Sequence, residues 1–385
     1  MSQSASRKAV RKSEDRTGAA TPHADPAALP RIPARPGSVL AALDLGTNNC
    51  RLLIAEVQPE GRGLKIVDSF ARIVRLGDGL VARGVLSNEA IQRAMDALGV
   101  CARKMSHWKV ARRWAVTTEA CRRASNGRDF IEKVRAKTGI SLDIITPERE
   151  IQLAVKGCAP LLDPRYESAL LFDIGGGSTE LAWLERKTDD RFQVVSWATL
   201  PVGVVTLADS FGGRTVSPQT YAAMVDHVAD RLSALAPPLS RKRPFDPARC
   251  HHLGTSGTVT TLAGVHLGLA RYDRSAIDGL WLSHGELVAA GERLKAMDFE
   301  ARAAHTCIGP DRADLVIAGY AILEAIHRLW PSASLRVADR GLREGMLLTL
   351  AKGAGRRRRR RAKASARAAV PQGASRSVEQ PADQG

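Results

Sequence analysis

The sequence predicts an α/β protein of two domains, and three observations carry that prediction. Apolar strand-like runs alternate with segments of helical periodicity across residues 38–352. Two of those runs end in an aspartate and a glycine-bearing turn, then resume at once as a second strand, first at Asp44 and again at Asp173. The 385 residues are enough to bury two cores. The first domain is placed at residues 38–162 and the second at 163–352.

The first of these domains opens with the apolar run Ser38–Asp44, a polar turn through Gly46, Thr47, Asn48 and Asn49, and a returning strand Arg51–Val57. Ser87 is positioned to cap a helix from Asn88 to about His107, with Ile91, Met95 and Leu98 on one face. A short strand Trp114–Thr117, a helix Asp129–Lys137 and a strand Leu142–Ile145 follow. Thr146 then caps a helix that has Pro147 at its first position and the acids Glu148 and Glu150 in its first turns.

A similar order returns in the second domain. Ala169–Asp173 reads as a buried strand, Gly175-Gly176-Gly177 as the turn, Ser178–Leu184 as the returning strand and Phe192–Leu200 as a third. A helix is expected over Pro218–Leu235. His251–Leu253 leads into Gly254-Thr255-Ser256-Gly257 and a helix from near Thr258. A long helix Asp311–Leu329, a strand Leu335–Ala338 and a last helix Leu342–Leu350 complete the core. The paired aspartate-led turns suggest an old internal duplication.

The flanks have a different composition. Residues 1–37 end in the proline-rich stretch Pro26–Pro36, and residues 353–385 carry the arginine run Arg356–Arg361. Neither holds enough apolar surface to offset chain entropy, so both are predicted to be disordered. They hold seven basic against three acidic residues and nine against two, so +11 of the net charge of +17 lies outside the folded core. The basic balance therefore argues weakly for a nucleic-acid fold.

Several function classes drop out on composition. The six cysteines form no C-x-x-C pair and no cluster with histidine, which argues against a structural zinc site or a disulfide scaffold. They are expected to be reduced and buried. No apolar run reaches the length of a membrane span or a secretory signal, so a cytoplasmic location is expected.

The chemistry is expected at the glycine turns. Glycine lets backbone N–H groups approach an anion closely, and Thr47, Asn48, Ser178 and Thr179 add side-chain donors. Gly175, Gly176 and Gly177 form the second turn. Gly254, Thr255, Ser256 and Gly257 form a third loop that opens into a helix, whose N-terminus favours phosphate. Neither aspartate-led turn is a Walker loop or a dinucleotide fingerprint, because no helix follows it. A single such turn is an ordinary hairpin. Two at matching places plus the third loop point to phosphate binding.

These spacings resemble the actin-like ATPase superfamily, with its ribonuclease H-like domains flanking a phosphate-binding cleft. The stretches ALDLGTNNCRLLI, TTEACRRASN, IITPEREIQL, LLFDIGGGSTEL, LGTSGTVTTL and VADRGLREG narrow the match. In that order, from about Val39 to Gly345, they resemble the Ppx/GppA phosphatase family of exopolyphosphatases and guanosine-pentaphosphate phosphohydrolases. The resemblance implies that Glu150 activates the attacking water and that Arg122 holds the terminal phosphate. It also implies Mg²⁺ anchored by Asp173 and Glu180 through water, with Asp44 assisting from the facing half. Glu148 is the competing acid, and Arg123 the competing arginine.

Longer members carry a further helical region after the last motif, which this sequence does not show; that favours short-chain polyphosphate, or a nucleotide bearing a 5′-triphosphate, over long polymers. The expected activity is removal of the terminal phosphate of inorganic polyphosphate. Guanosine pentaphosphate is the alternative substrate, and a non-catalytic binder of polyphosphate or nucleic acid is the alternative class. The arginine run would attract polyphosphate or RNA through a salt-dependent, sequence-independent term. No membrane partner is expected, and a homodimer is implied by resemblance alone.

Overall fold

The computed structural model describes residues 34–59, 63–239 and 246–352. Of the predicted disordered tails, residues 1–33 and 353–385, including Arg356–Arg361, lie outside the described residues; residues 34–37 are described, and the Gly37 N–H donates to the Val57 carbonyl at 2.9 Å.

The first half contains β1 (Val39–Leu45), β2 (Asn49–Val57), β3 (Leu64–Ile73), α1 (Leu80–Arg83), α2 (Asn88–His107), β4 (Arg112–Thr117), α3 (Glu119–Arg123), α4 (Gly127–Thr138), β5 (Leu142–Ile144) and α5 (Pro147–Cys158). Its sheet has the order β3-β2-β1-β4-β5. The β1–β2 and β2–β3 pairs are antiparallel; β4 runs parallel to β1, and β5 to β4. Ser87 caps α2 through the Ala90 N–H at 3.2 Å, and Thr146 caps α5 through the Arg149 N–H at 3.2 Å, both as the sequence predicts. Ile91, Met95 and Leu98 face the sheet. Each such burial is worth about 1.5–3 kcal/mol.

The second half contains β6 (Ser168–Ile174), β7 (Thr179–Arg186), β8 (Phe192–Leu200), α6 (Val204–Phe211), α7 (Pro218–Leu239), β9 (Cys250–Thr255), α8 (Gly257–Leu267), α9 (Arg274–Ile277), β10 (Trp281–Ser283), α10 (His284–Ala296), α11 (Phe299–Ala304), α12 (Val316–Leu329) and β11 (Ser334–Ala338). A final helix, α13, begins at residue 342 and reaches 352. The sheet order β8-β7-β6-β9-β11 repeats that of the first sheet, with β10 added antiparallel at its end. All six cysteines are free and buried.

Chain order and packing part company at two helices. α5, which ends the first half, sends Ile151, Ala154 and Cys158 under the second sheet. α13, which ends the second, packs Leu342, Met346, Leu347 and Leu350 against the first. They cross in backbone contact, and two glycines permit it. A Cβ on Gly157 would lie 1.9 Å from the Gly341 carbonyl oxygen, and one on Gly345 would lie 1.9 Å from that of Leu153. The crossing joins the halves and brings the start of α5 to the groove between the sheets.

The structure corrects two sequence expectations here. β3 was not foreseen, because this edge strand mixes polar and apolar residues with no clean buried face. α12 begins at Val316 rather than Asp311; residues 311–315 form turns after Pro310.

Candidate active site

The two aspartate-led hairpins face each other across a cleft. In the first, the Gly46 N–H donates to the Asn49 carbonyl at 2.9 Å; in the second, the Gly175 N–H donates to the Ser178 carbonyl at the same distance. The tips nearly touch. A Cβ on Gly176 would sit 3.0 Å from Asn48 Cβ, and one on Gly177 would sit 2.8 Å from Thr47 Oγ1. Glycine at 176 and 177 is therefore a requirement of the approach, not only of the turn.

Each hairpin is braced from the next parallel strand. Thr117 Oγ1 donates to the Leu45 carbonyl at 2.8 Å, and Ser256 Oγ donates to the Ile174 carbonyl at 2.6 Å. Both acceptors directly follow the hairpin aspartate. Ser256 holds φ at +79°, a region that favours glycine, as it turns the chain into α8. At the second hairpin, the first N–H groups of α6 are committed as well: Val204 donates to Gly175 and Val205 to Gly176.

The cleft holds a volume of about 110 Å³ and opens to solvent. Asp44, Thr47, Asn48, Gly175–Gly177, Ser178, Ser256, Gly257 and Glu150 all line it, so most of the predicted set converges. Glu150 sits in the first turn of α5. Its Oε2 is buried and accepts no hydrogen bond, with Arg122 Nη1 3.6 Å away. Arg122 is aimed by two further contacts, Glu119 Oε2 at 2.7 Å and the Ile145 carbonyl at 2.6 Å. Glu148 is exposed and bonds Gln152, and Arg123 is exposed at the end of α3. Neither competitor approaches Glu150 in this way.

Other predicted residues have different surroundings. Thr179 Oγ1 donates to the Val202 carbonyl at 2.8 Å inside the core. Gly254 and Thr255 belong to β9 and are buried. A Cβ on Gly254 would meet the Phe172 ring at 2.7 Å, and Thr255 Oγ1 donates to the Arg340 carbonyl at 2.6 Å. The third loop therefore offers the cleft Ser256 and Gly257, while Gly254 and Thr255 serve packing.

Acids gather around the groove. Burial pushes Asp44 up to about 6, and Arg51 opposes that rise. Glu180 is pushed up to about 8, first by burial and then by Asp173, although Ser178 Oγ donates to its Oε1 at 2.6 Å. Asp173 also rises through burial. Glu150 stands well above the ordinary carboxylate range, through burial and then the Glu180 charge. Buried acids of like charge raise one another's pKa values.

Among the described residues, no three His, Cys, Asp or Glu side chains converge closely enough to hold a metal ion by themselves. Asp44 Oδ1, like Glu150 Oε2, is buried without a hydrogen-bond donor. That donor set fits Mg²⁺, which keeps several waters and takes substrate phosphate oxygens as ligands. No described helix is long and apolar enough to cross a membrane.

Three cations escaped the sequence reading. Arg51 lies directly opposite Asp44 in the β1–β2 register and lines the cleft. Arg312 lines it from the turns before α12. Arg343, on α13, lies within electrostatic reach of Glu344, Arg51, Asp44 and Asp339. Only Arg51 left a signal: the pairing set by a four-residue turn puts it across from Asp44.

The Ppx/GppA phosphatase family model matches residues 53–353. Exopolyphosphatase 2 of Mycobacterium tuberculosis is 31% identical over 324 residues, covering 81% of this chain and 98% of that one. The crystal structure of the Aquifex aeolicus member of the Ppx/GppA family superposes with a TM-score of 0.66 at 29% identity, covering 81% of this chain and 97% of that one. An exopolyphosphatase structure from Cytophaga hutchinsonii shares the fold, with a TM-score of 0.74 at 24% identity over 82% of this chain and 98% of that one. The chain belongs to the Ppx/GppA phosphatase family, and with it to the hydrolases.

Proposed function

We propose that this phosphatase is an exopolyphosphatase: it hydrolyses the terminal phosphoanhydride of inorganic polyphosphate and releases orthophosphate. The observation that carries the reading is the Glu150 carboxylate, on the cleft wall with a buried oxygen that accepts no hydrogen bond and Arg122 beside it. The substrate is one whose relatives' name supports it, since Exopolyphosphatase 2 aligns along nearly its whole length.

In this reading Glu150 accepts a proton from water as the water oxygen bonds to the terminal phosphorus. The bond from that phosphorus to the bridging oxygen breaks, and the shortened chain leaves with the electron pair. Arg122, oriented by Glu119, donates to the transferring phosphoryl oxygens. Thr47, Asn48, Ser178 and the N–H groups of Gly176 and Gly177 hold the phosphates behind it; the Gly175 N–H is taken by the turn. Mg²⁺, held through water by Asp173 and Glu180 with Asp44 opposite, would supply charge neutralisation on the phosphates. Residues 38–162 and 163–352 are taken as the two halves that move about the α5–α13 crossing.

The arginine run Arg356–Arg361, outside the described residues, is proposed to concentrate polyphosphate near the cleft. Removing residues after Lys352 then raises the KM for long polymer at low salt; an unchanged KM rejects this role.

The test is phosphate release with Mg²⁺ from short polyphosphate, long polyphosphate and guanosine pentaphosphate, by wild type and Glu150→Gln. Release from polyphosphate that falls about 10²–10⁴-fold in the variant is expected. Release from the nucleotide alone assigns the same site to guanosine pentaphosphate. Release that survives in Glu150→Gln rejects the assigned base.

A further inference from the structure

One ion pair spans the two halves beside the cleft. Arg75, in the segment after β3, places Nη1 2.8 Å from Asp314 Oδ2 and Nη2 2.8 Å from Asp314 Oδ1. Its Nη2 also donates to the Asp311 carbonyl at 3.1 Å. This fork-to-fork geometry fixes both distance and orientation. Both ends reach cleft walls by short covalent and hydrogen-bonded routes.

On the first side, the Asn48 carbonyl accepts from the N–H groups of Val74 at 2.8 Å and Arg75 at 3.0 Å, and the Thr47 carbonyl accepts from Gly77 at 2.9 Å. The main chain that carries Arg75 is thus bonded to the first phosphate hairpin itself. Arg75 has φ at +44°, a strained value for a residue with a Cβ, and Arg93 donates to the carbonyls of Val74 and Arg75. The strain aims the guanidinium across the groove. On the second side, Asp314 lies between Arg312 and Leu315, both of which line the cleft.

The hairpin tips are almost in contact in this structure, and the ion pair spans the groove beside them. An ion pair that spans those walls breaks whenever they separate. Its exposure suits that: about a third of the Arg75 side chain and a quarter of that of Asp314 reach solvent. Water can replace each partner as the pair parts.

We propose that Arg75 is a positioning residue for the hydrolysis: through Asp314 it latches the two cleft walls at the spacing that seats the substrate phosphates. This rests on the polyphosphate reading above. It differs from the role of Arg122, because Arg75 acts through the hairpin main chain and touches no reacting atom.

The experiment uses the full chain and four variants: Arg75→Gln, Asp314→Asn, Arg75→Asp, and the reversed pair Arg75→Asp with Asp314→Arg. Arg75→Gln and Asp314→Asn are each expected to raise KM for polyphosphate about 5-fold with kcat within about twofold. Arg75→Asp, which sets two acids face to face, raises it further, and the reversed pair recovers most of the loss. Small-angle scattering gives an activity-independent readout: the radius of gyration of wild type with tripolyphosphate and Mg²⁺ falls to a value that Arg75→Asp does not reach.

KM unchanged in both neutral variants overturns the proposal. So does a reversed pair no better than Arg75→Asp, or a compact state that Arg75→Asp reaches as wild type does. A wild type that compacts on tripolyphosphate but releases no phosphate from polyphosphate rejects the substrate reading and leaves the latch standing.

Discussion

The two hairpins that wall the cleft share their geometry and differ in the residue that faces the aspartate. In each, the residue two places after the aspartate donates to a carbonyl three places on, and a hydroxyl from the neighbouring parallel strand braces the turn. On the return strand, however, Asp44 is paired with Arg51, whereas Asp173 is paired with Glu180. Asp44 thus faces a cation across the strands and Asp173 a second acid, although Arg51 also opposes the rise of Asp173 and Ser178 donates to Glu180. In the proposed reading the Asp173–Glu180 pair serves the hydrated cation, and Arg51 beside Asp44 serves the phosphates. A single cross-strand position distinguishes the two hairpins.

The sharpest way to break this comparison is to make the same substitution on both walls. Asp173→Asn is expected to lower kcat/KM about 10²–10³-fold, and Asp44→Asn about tenfold, measured as phosphate release at saturating Mg²⁺. Equal losses would mean that the facing residue does not matter.

A second change asks whether the walls need a fixed crossing beneath them. Gly345→Ala places a methyl against the Leu153 carbonyl and is expected to cost about 1–3 kcal/mol in denaturant unfolding. An unchanged midpoint would show that α5 and α13 have room to part.

The pH profile sharpens the comparison further. As the proposed base, Glu150 must be ionised to accept a proton, and burial with the Glu180 charge holds its pKa well above the ordinary range. Activity therefore falls as pH drops through that raised value. Glu180→Gln removes one of the charges responsible, so the acid limb of its residual kcat/KM should move down by about half a pH unit or more. A limb that stays in place would detach Glu180 from Glu150.

The smallest expected effect is on stability. The folded-state pKa of Glu180, about 8, lies above its ordinary value of 4.5. Its contribution to stability is therefore complete below about 4.5 and lost as pH rises through 8. Glu180→Gln should melt at least about 2 °C above wild type at pH 8 without Mg²⁺, with little difference at pH 5. The reverse order would place Glu180 in a favourable ion pair.

Much of this was legible in the sequence, for identifiable reasons. Asp44 and Asp173 each end an apolar strand before a glycine turn, so both hairpins and most of the helices between them could be read from periodicity and caps. Glu150 stood out through the motif around Thr146 and Pro147, not through any local pattern of its own. What stayed hidden depends on contacts between distant segments. Gly254 looks like a phosphate glycine, yet the Phe172 ring and Val259 leave no room for a Cβ there. Arg312 lines the cleft only because the turns before α12 return to it, and Arg343 comes near Asp44 only because α13 does. Arg75 and Asp314 are 239 residues apart, and no spacing rule joins them.

The most direct test of the central claim is Mg²⁺ titration of phosphate release for Glu180→Gln and Arg51→Gln, each at several polyphosphate concentrations. The account predicts that Glu180→Gln raises the Mg²⁺ needed for half-maximal rate about tenfold with little change in polyphosphate KM, and that Arg51→Gln does the opposite. If both variants shift the two constants alike, the walls are not specialised, and the assignment of cation to one hairpin and phosphate to the other is wrong.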